Sequence, residues 1–339
     1  MQLSVRLNHC FPFNQSVRSA VAAVASVQKR LSWESFLTTR GMRESIEQLR
    51  AGQLRYVHMI PSAPYDTHQA RLFYSGHANP LDPNSVYAAA TVFAADPTVQ
   101  MIIVTSPAGF RSAVTPVPAR QLRKLAAGDL RALVQADIEH LMSLNITSLE
   151  IIGGSAGATR ALAAASLAVT DYSLAVSRLV MIEPINLLPR SMCSLCRSFI
   201  ASGSKLEQYV QQTNCVAYQA ARRDSARRLF LLSGLISPVN LAISKALCRG
   251  SLTRDCEQFL IASPSTMLVF AYGSNSELMD QAAMEACVRR LEVVAPKRMT
   301  RISINGGHHA LMCDIYLQAA IVLEAYQSSR KFLLRNIPK

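Results

Sequence analysis

The chain has 339 residues, half of them hydrophobic and 17% charged, with 35 Lys+Arg against 22 Asp+Glu for a formal charge of +13. That apolar content excludes a disordered chain, which needs low hydrophobicity and high net charge, and the length excludes a scaffold that must be stapled by disulfides to fold. The surplus of bases points to an anionic partner without specifying it.

Residues 1–50 read as an N-terminal helical extension, clearest over Arg43 to Leu49. The first 33 residues hold no acid but include Arg6, Arg18, Lys29 and Arg30, a loose likeness to an organelle-targeting segment. The expected location is nevertheless the cytoplasm. No apolar run reaches the ~18 residues of a membrane span, so no transmembrane segment is expected. Strands are expected at 54–60 and 70–75, a helix at 84–95, a strand at 100–105 and a helix at 119–143. There follow a strand at 148–152, a small-residue helix at 156–168 and a strand at 178–182. More than 80 residues without a clear strand come next, with helices expected at 204–235 and 240–248. Strands at 266–271 and 300–304 and a helix at 314–330 complete the chain.

Short apolar strands alternating with helices predict an α/β fold, a mostly parallel sheet covered by helices on both faces. The predicted domains are a core of residues 51–184 and 263–339 with a helical cap inserted at 185–262. The eight cysteines are expected to be reduced and mostly buried, with Cys193 and Cys196 read as two helix residues. His, Asp and Glu show no metal-ligand spacing, so neither a metal nor a cofactor is expected.

The most informative stretch is Leu149-Glu150-Ile151-Ile152-Gly153-Gly154-Ser155-Ala156-Gly157. An apolar strand runs into G-x-S-x-G, and an alanine-rich helix follows. A serine on such a strand-to-helix turn has its hydroxyl lifted clear of the sheet. The helix N-terminus beside it favours developing negative charge. Ser155 is therefore the candidate nucleophile.

From about residue 70 to 330 the chain resembles the α/β-hydrolase fold family. Tyr74-Ser75-Gly76-His77 lies where that family builds part of its oxyanion hole. Thr105 to Ser112 (TSPAGFRS) is similar to the family's glycine-containing turn after the next strand. The elbow at Ser155 comes third, and Asn305-Gly306-Gly307-His308-His309 is similar to the Gly-His that follows the last strand. The insertion sits where the family commonly carries a cap.

A serine nucleophile needs a base to take its proton. His308, directly after Gly307, is the first candidate, and His309 is the alternative. The resemblance implies an oxyanion hole from the backbone N–H groups of Ala156 and His77. It also implies a carboxylate to orient the imidazole, commonly an Asp shortly after the strand that follows the cap. Ser276 occupies that place and Glu277 follows it, so Glu277 is the first candidate acid. Asp280 and Glu183, at the end of the strand before the cap, are the alternatives.

Residues 186–262 hold ten bases and four acids, and Arg222, Arg223, Arg227 and Arg228 form one basic helix face. An anionic substrate or membrane surface fits this better than nucleic acid, since aromatics make up 6% of the chain and no RNA- or DNA-binding motif appears. The resulting expectation is a serine hydrolase acting on a hydrophobic ester or thioester through an acyl-enzyme. Acyl transfer by the same residues and a non-catalytic ligand- or partner-binding protein are the alternatives.

Overall fold

The computed structural model describes residues 56–61, 64–74, 76, 89, 92–93, 98–104, 118–213, 238–304, 309, 318 and 320–326. The expected N-terminal extension, the helix at 84–95 for the most part, the 105–112 turn and the Arg222–Arg228 basic face lie outside these residues.

Among the described residues seven strands form one sheet: β1 (Tyr56–Met59), β2 (Gln69–Tyr74), β3 (Gln100–Val104), β4 (Ser148–Gly154), β5 (Ala175–Ile182), β6 (Met267–Gly273) and β7 (Met299–Ile304). Their spatial order is β1-β3-β2-β4-β5-β6-β7. Every neighbouring pair is parallel except β1 with β3. Leu72, Ile102, Ile151, Leu179 and Val269 are fully buried. Such continuous apolar strands require helices on both faces of the sheet.

Two helices, α1 (Ala119–Ala126) and α2 (Arg131–Ser143), stand where the sequence reading expected one. The break has a local cause. Gly128 adopts φ +93°, and the Gly128 and Asp129 amides donate back to Leu125 O and Lys124 O at 2.8 and 3.0 Å. This is a glycine C-cap that satisfies the last carbonyls of α1. The small-residue helix α3 (Ala156–Tyr172) buries Ala158, Ala161, Ala164, Ala165 and Ala168, and their short side chains let it lie close to the sheet.

Between β5 and β6 come α4 (Met192–Thr213), α5 (Pro238–Leu247) and α6 (Leu252–Ala262). Helix α5 contributes Ile243 and Leu247 to the main core, and α6 contributes Leu252, Phe259 and Leu260. Helix α7 (Gln281–Val294) leads into β7, and residues 320–326 are helical. Of the described cysteines, Cys256 and Cys287 are buried and Cys248 is half-buried. Cys193 and Cys196 are exposed on α4, and all five are free thiols. Among the described residues no helix is long and apolar enough to cross a membrane.

Candidate active site

The turn between β4 and α3 brings Ser155 to the carboxyl end of the sheet. Ser155 has φ 54° and ψ −125°, a strained conformation for a residue with a side chain. Tight packing holds it there. A Cβ placed on Gly153 would come within 2.4 Å of Gly157 O and 2.7 Å of Ala161 Cβ, so only glycine lets strand and helix approach this closely. The Ser155 amide donates to Ile182 O at 2.8 Å, tying the turn to the end of β5.

Glu183 is the next residue along β5, and it too has a positive φ, 50°. Its amide donates to Ala271 O of β6 at 2.8 Å. The ends of three adjacent strands are thereby joined in sequence, and the turns after β4 and β5 aim Ser155 and Glu183 at one point above the sheet.

That point is the imidazole of His309. Its Nε2 lies 3.1 Å from Ser155 Oγ, and its Nδ1 lies 3.0 Å from Glu183 Oε2. Ser155, His309 and Glu183 are 5%, 7% and 0% exposed. A carboxylate only accepts, so the Nδ1–H donates to Glu183 and Nε2 is left to accept the serine proton. Glu183 is itself held on both oxygens. Oε1 accepts the Gly273 amide, and Oε2 accepts the Ser276 hydroxyl, each at 2.5 Å. Ser276, at the place where an Asp was sought, thus serves the acid without being it.

Strand order, the single antiparallel strand at one edge, the elbow after β4 and a serine–histidine–carboxylate relay at the carboxyl ends are now together. The chain has the α/β-hydrolase fold.

The sequence candidates take the following places in this fold. Ser155 stands at the elbow, and His309, the alternative base, faces it. His308, the first candidate, lies outside the described residues. Glu277 does not meet the imidazole; its Oε2 accepts the backbone N–H of His309 at 3.2 Å. Asp280 is exposed and caps α7, its Oδ1 accepting the Ala283 amide at 2.7 Å. The carboxylate that meets the ring is Glu183, the third candidate. Ala156 opens α3 and is buried. His77 lies outside the described residues, but Gly76 before it sits against the nucleophile. A Cβ there would be 3.7 Å from Ser155 Cβ, an ordinary contact.

A second layer supports both sides of the elbow. Tyr74, at the end of β2, donates to Asp137 Oδ2 at 3.1 Å, and the Arg160 guanidinium lies 4.7 Å over its ring. Burial, followed by the charge of Asp137, pushes the Tyr74 phenol well above its ordinary pKa. Tyr74 therefore stays a neutral donor. Among the described residues no group of three or more His, Cys, Asp or Glu could hold a metal.

No family model and no curated protein matches the chain. Solved structures do match it in shape. A carboxylesterase from the thaumarchaeon Nitrososphaera gargenis is 15% identical over 82% of this chain and 93% of its own, with a TM-score of 0.47. MGS-M2, an α/β-hydrolase enzyme from a Medee basin deep-sea metagenome library, is 14% identical over 80% and 94%, with a TM-score of 0.49. A thermophilic esterase from Thermogutta terrifontis is 14% identical over 83% and 93%, with a TM-score of 0.45. The strand order and the elbow, not these likenesses, define the fold.

Proposed function

We propose that the protein is a serine hydrolase that cleaves a carboxylic ester or thioester through an acyl-enzyme. The observation that carries this reading is the buried Ser155–His309–Glu183 relay. Ser155 Oγ attacks the carbonyl carbon while His309 Nε2 takes its proton. The imidazolium that forms is stabilised by Glu183, which also keeps the ring in the tautomer that can accept. The N–H of Ala156 at the start of α3 and that of His77 bind the oxyanion. His309 then protonates the leaving alcohol or thiol. Water, deprotonated by His309, attacks the acyl-enzyme and frees the acid and Ser155.

A hydrophobic acyl group as substrate is supported by the apolar helical insertion, and a negative charge on it by the basic surplus at 186–262. The five free thiols among the described residues support a reducing compartment such as the cytosol. The non-catalytic alternative rests on an ambiguous acid position, and Glu183 on the imidazole favours the catalytic reading over it. Acyl transfer uses the same residues and differs only in which acceptor attacks the acyl-enzyme.

A fluorophosphonate probe is expected to label the wild-type chain at Ser155 and to leave folded Ser155→Ala unlabelled. Absence of labelling and of activated-ester turnover in folded wild-type protein would overturn the reading. Products measured with and without an added alcohol separate hydrolysis from transfer.

A further inference from the structure

An open cavity of about 430 Å³ lies where α3, α6 and the turn between α1 and α2 meet. This falls within the ~300–1,000 Å³ typical of small-molecule sites. Ser155, His309 and Glu183 take no part in its lining. Its floor is the outer face of the nucleophile helix, through Thr159, Leu162, Ala163, Ser166 and Thr170.

Two independent features of the lining point to a ligand. Thr159 is 6% exposed, and its Oγ1 is buried with no hydrogen-bond partner. Buried hydroxyls without partners are costly and rare. A turn of this side chain about χ1 would present the hydroxyl to a polar group in the cavity.

The second feature is charge. Arg131, Arg249, Arg254, Asp129 and Asp255 line the space. Asp255 Oδ1 accepts from Arg254 Nε and Nη2 at 3.2 and 3.1 Å. Asp129 Oδ1 accepts the Arg131 amide at 3.1 Å, and Arg131 Nη1 meets Asp171 at 3.4 Å. Both lining acids thus already have partners. Arg249 has no ion pair among the described residues.

Arg249 is also firmly placed. Its amide donates to Ala246 O at 3.1 Å, and it forms a strand bridge with Pro189. Its side chain crosses Gly128, where a Cβ would come 3.1 Å from Arg249 Cδ. A guanidinium at a cavity that forms no ion pair with the described residues, while both lining acids already have partners, is a receptor for a carboxylate or phosphate. Leu162 and Phe259 add apolar wall.

We propose that this cavity binds a small organic anion, one carboxylate or phosphate group on a compact apolar body, with Arg249 holding the oxyanion and Thr159 donating a hydrogen bond. The ligand would rest on the back of the nucleophile helix, apart from the reacting serine.

Titration calorimetry with phenyl phosphate and with benzoate, on the full chain, tests this. The expected result is saturable one-site binding of at least one of the two. Kd should rise about tenfold or more in Arg249→Gln and severalfold in Thr159→Val, and stay unchanged in His309→Ala. Whichever anion binds more tightly identifies the headgroup class. Lack of saturable binding of both anions, a Kd indifferent to Arg249→Gln, or binding lost in His309→Ala would overturn the proposal. Binding requires no turnover, so its failure leaves the hydrolase reading intact, and failure of the hydrolase reading leaves the binding result standing.

Discussion

Glu150, within β4, and Glu183, at the end of β5, are both buried carboxylates on neighbouring strands, yet their surroundings differ in kind. Arg71 and Arg178 stand beside Glu150 in register on β2 and β5. Arg71 Nε meets one oxygen at 2.7 Å and Arg178 Nη1 the other at 2.5 Å, and both guanidiniums lie over the Tyr326 ring. Glu183 is held by a hydroxyl, a backbone N–H and an imidazole. Two permanent cations compensate Glu150 in every state of the protein. The cation that faces Glu183 exists only after His309 has taken a proton. A carboxylate of the second kind stabilises the reacting state more than the resting one, which is what accelerates a reaction. The first kind fastens three strands to the C-terminal helical segment.

Exchanging each carboxylate for its amide tests this contrast most directly. Glu183→Gln should cost about 10⁴-fold in kcat, because an amide can hold the imidazole in the wrong tautomer, with folding retained by circular dichroism. A loss under tenfold would mean that Glu183 is not the orienting acid.

Glu150→Gln should act in the opposite way. It leaves two buried guanidiniums against a neutral group, and removing one member of a buried ion pair typically costs about 3–5 kcal/mol. Denaturant unfolding should show that loss, while kcat of the protein that remains folded stays near wild type. A selective loss of kcat would break the contrast.

Glu277→Gln should change kcat by no more than about threefold, since Glu277 touches the His309 backbone and not its ring, and one such hydrogen bond is worth about 1 kcal/mol or less. An effect as large as that of Glu183→Gln would reverse the assignment of the acid.

The smallest effect concerns β6. Tyr272 donates to Glu285 Oε1 at 2.9 Å, and burial, with this bond, pushes its phenol up to about 12 from an ordinary 10.0. The folded state therefore keeps a proton that the unfolded chain releases. The contribution of Tyr272 to stability is full below about pH 10 and declines as pH rises through 12. Tyr272→Phe should flatten the alkaline fall in stability over that window, read by unfolding at each pH.

Much of this was legible in the chain. The apolar runs locate all seven strands, because a strand buried on both faces leaves a continuous apolar signal. G-x-S-x-G between such a strand and an alanine-rich helix marks the elbow, because the packing there admits glycine at Gly153 and little else. The helix break at Gly128 was missed, since a single glycine in a helical pattern is often tolerated. Which of the two histidines meets Ser155, and which of the three candidate carboxylates meets its ring, was not legible.

What the sequence alone determined was local: period, turn chemistry and the identity of the nucleophile, each set by residues a few positions apart. Tertiary structure decided which histidine faces Ser155 and which carboxylate meets its ring. His308 and His309 are adjacent in the chain, so spacing favours neither, and the direction of a loop side chain depends on what packs around it. Glu183 is 126 residues from His309 in sequence. It reaches the imidazole because the β5 and β6 ends are joined there and because Ser276 and Gly273 bind its oxygens. No local pattern encodes a contact that exists only when distant strands lie side by side.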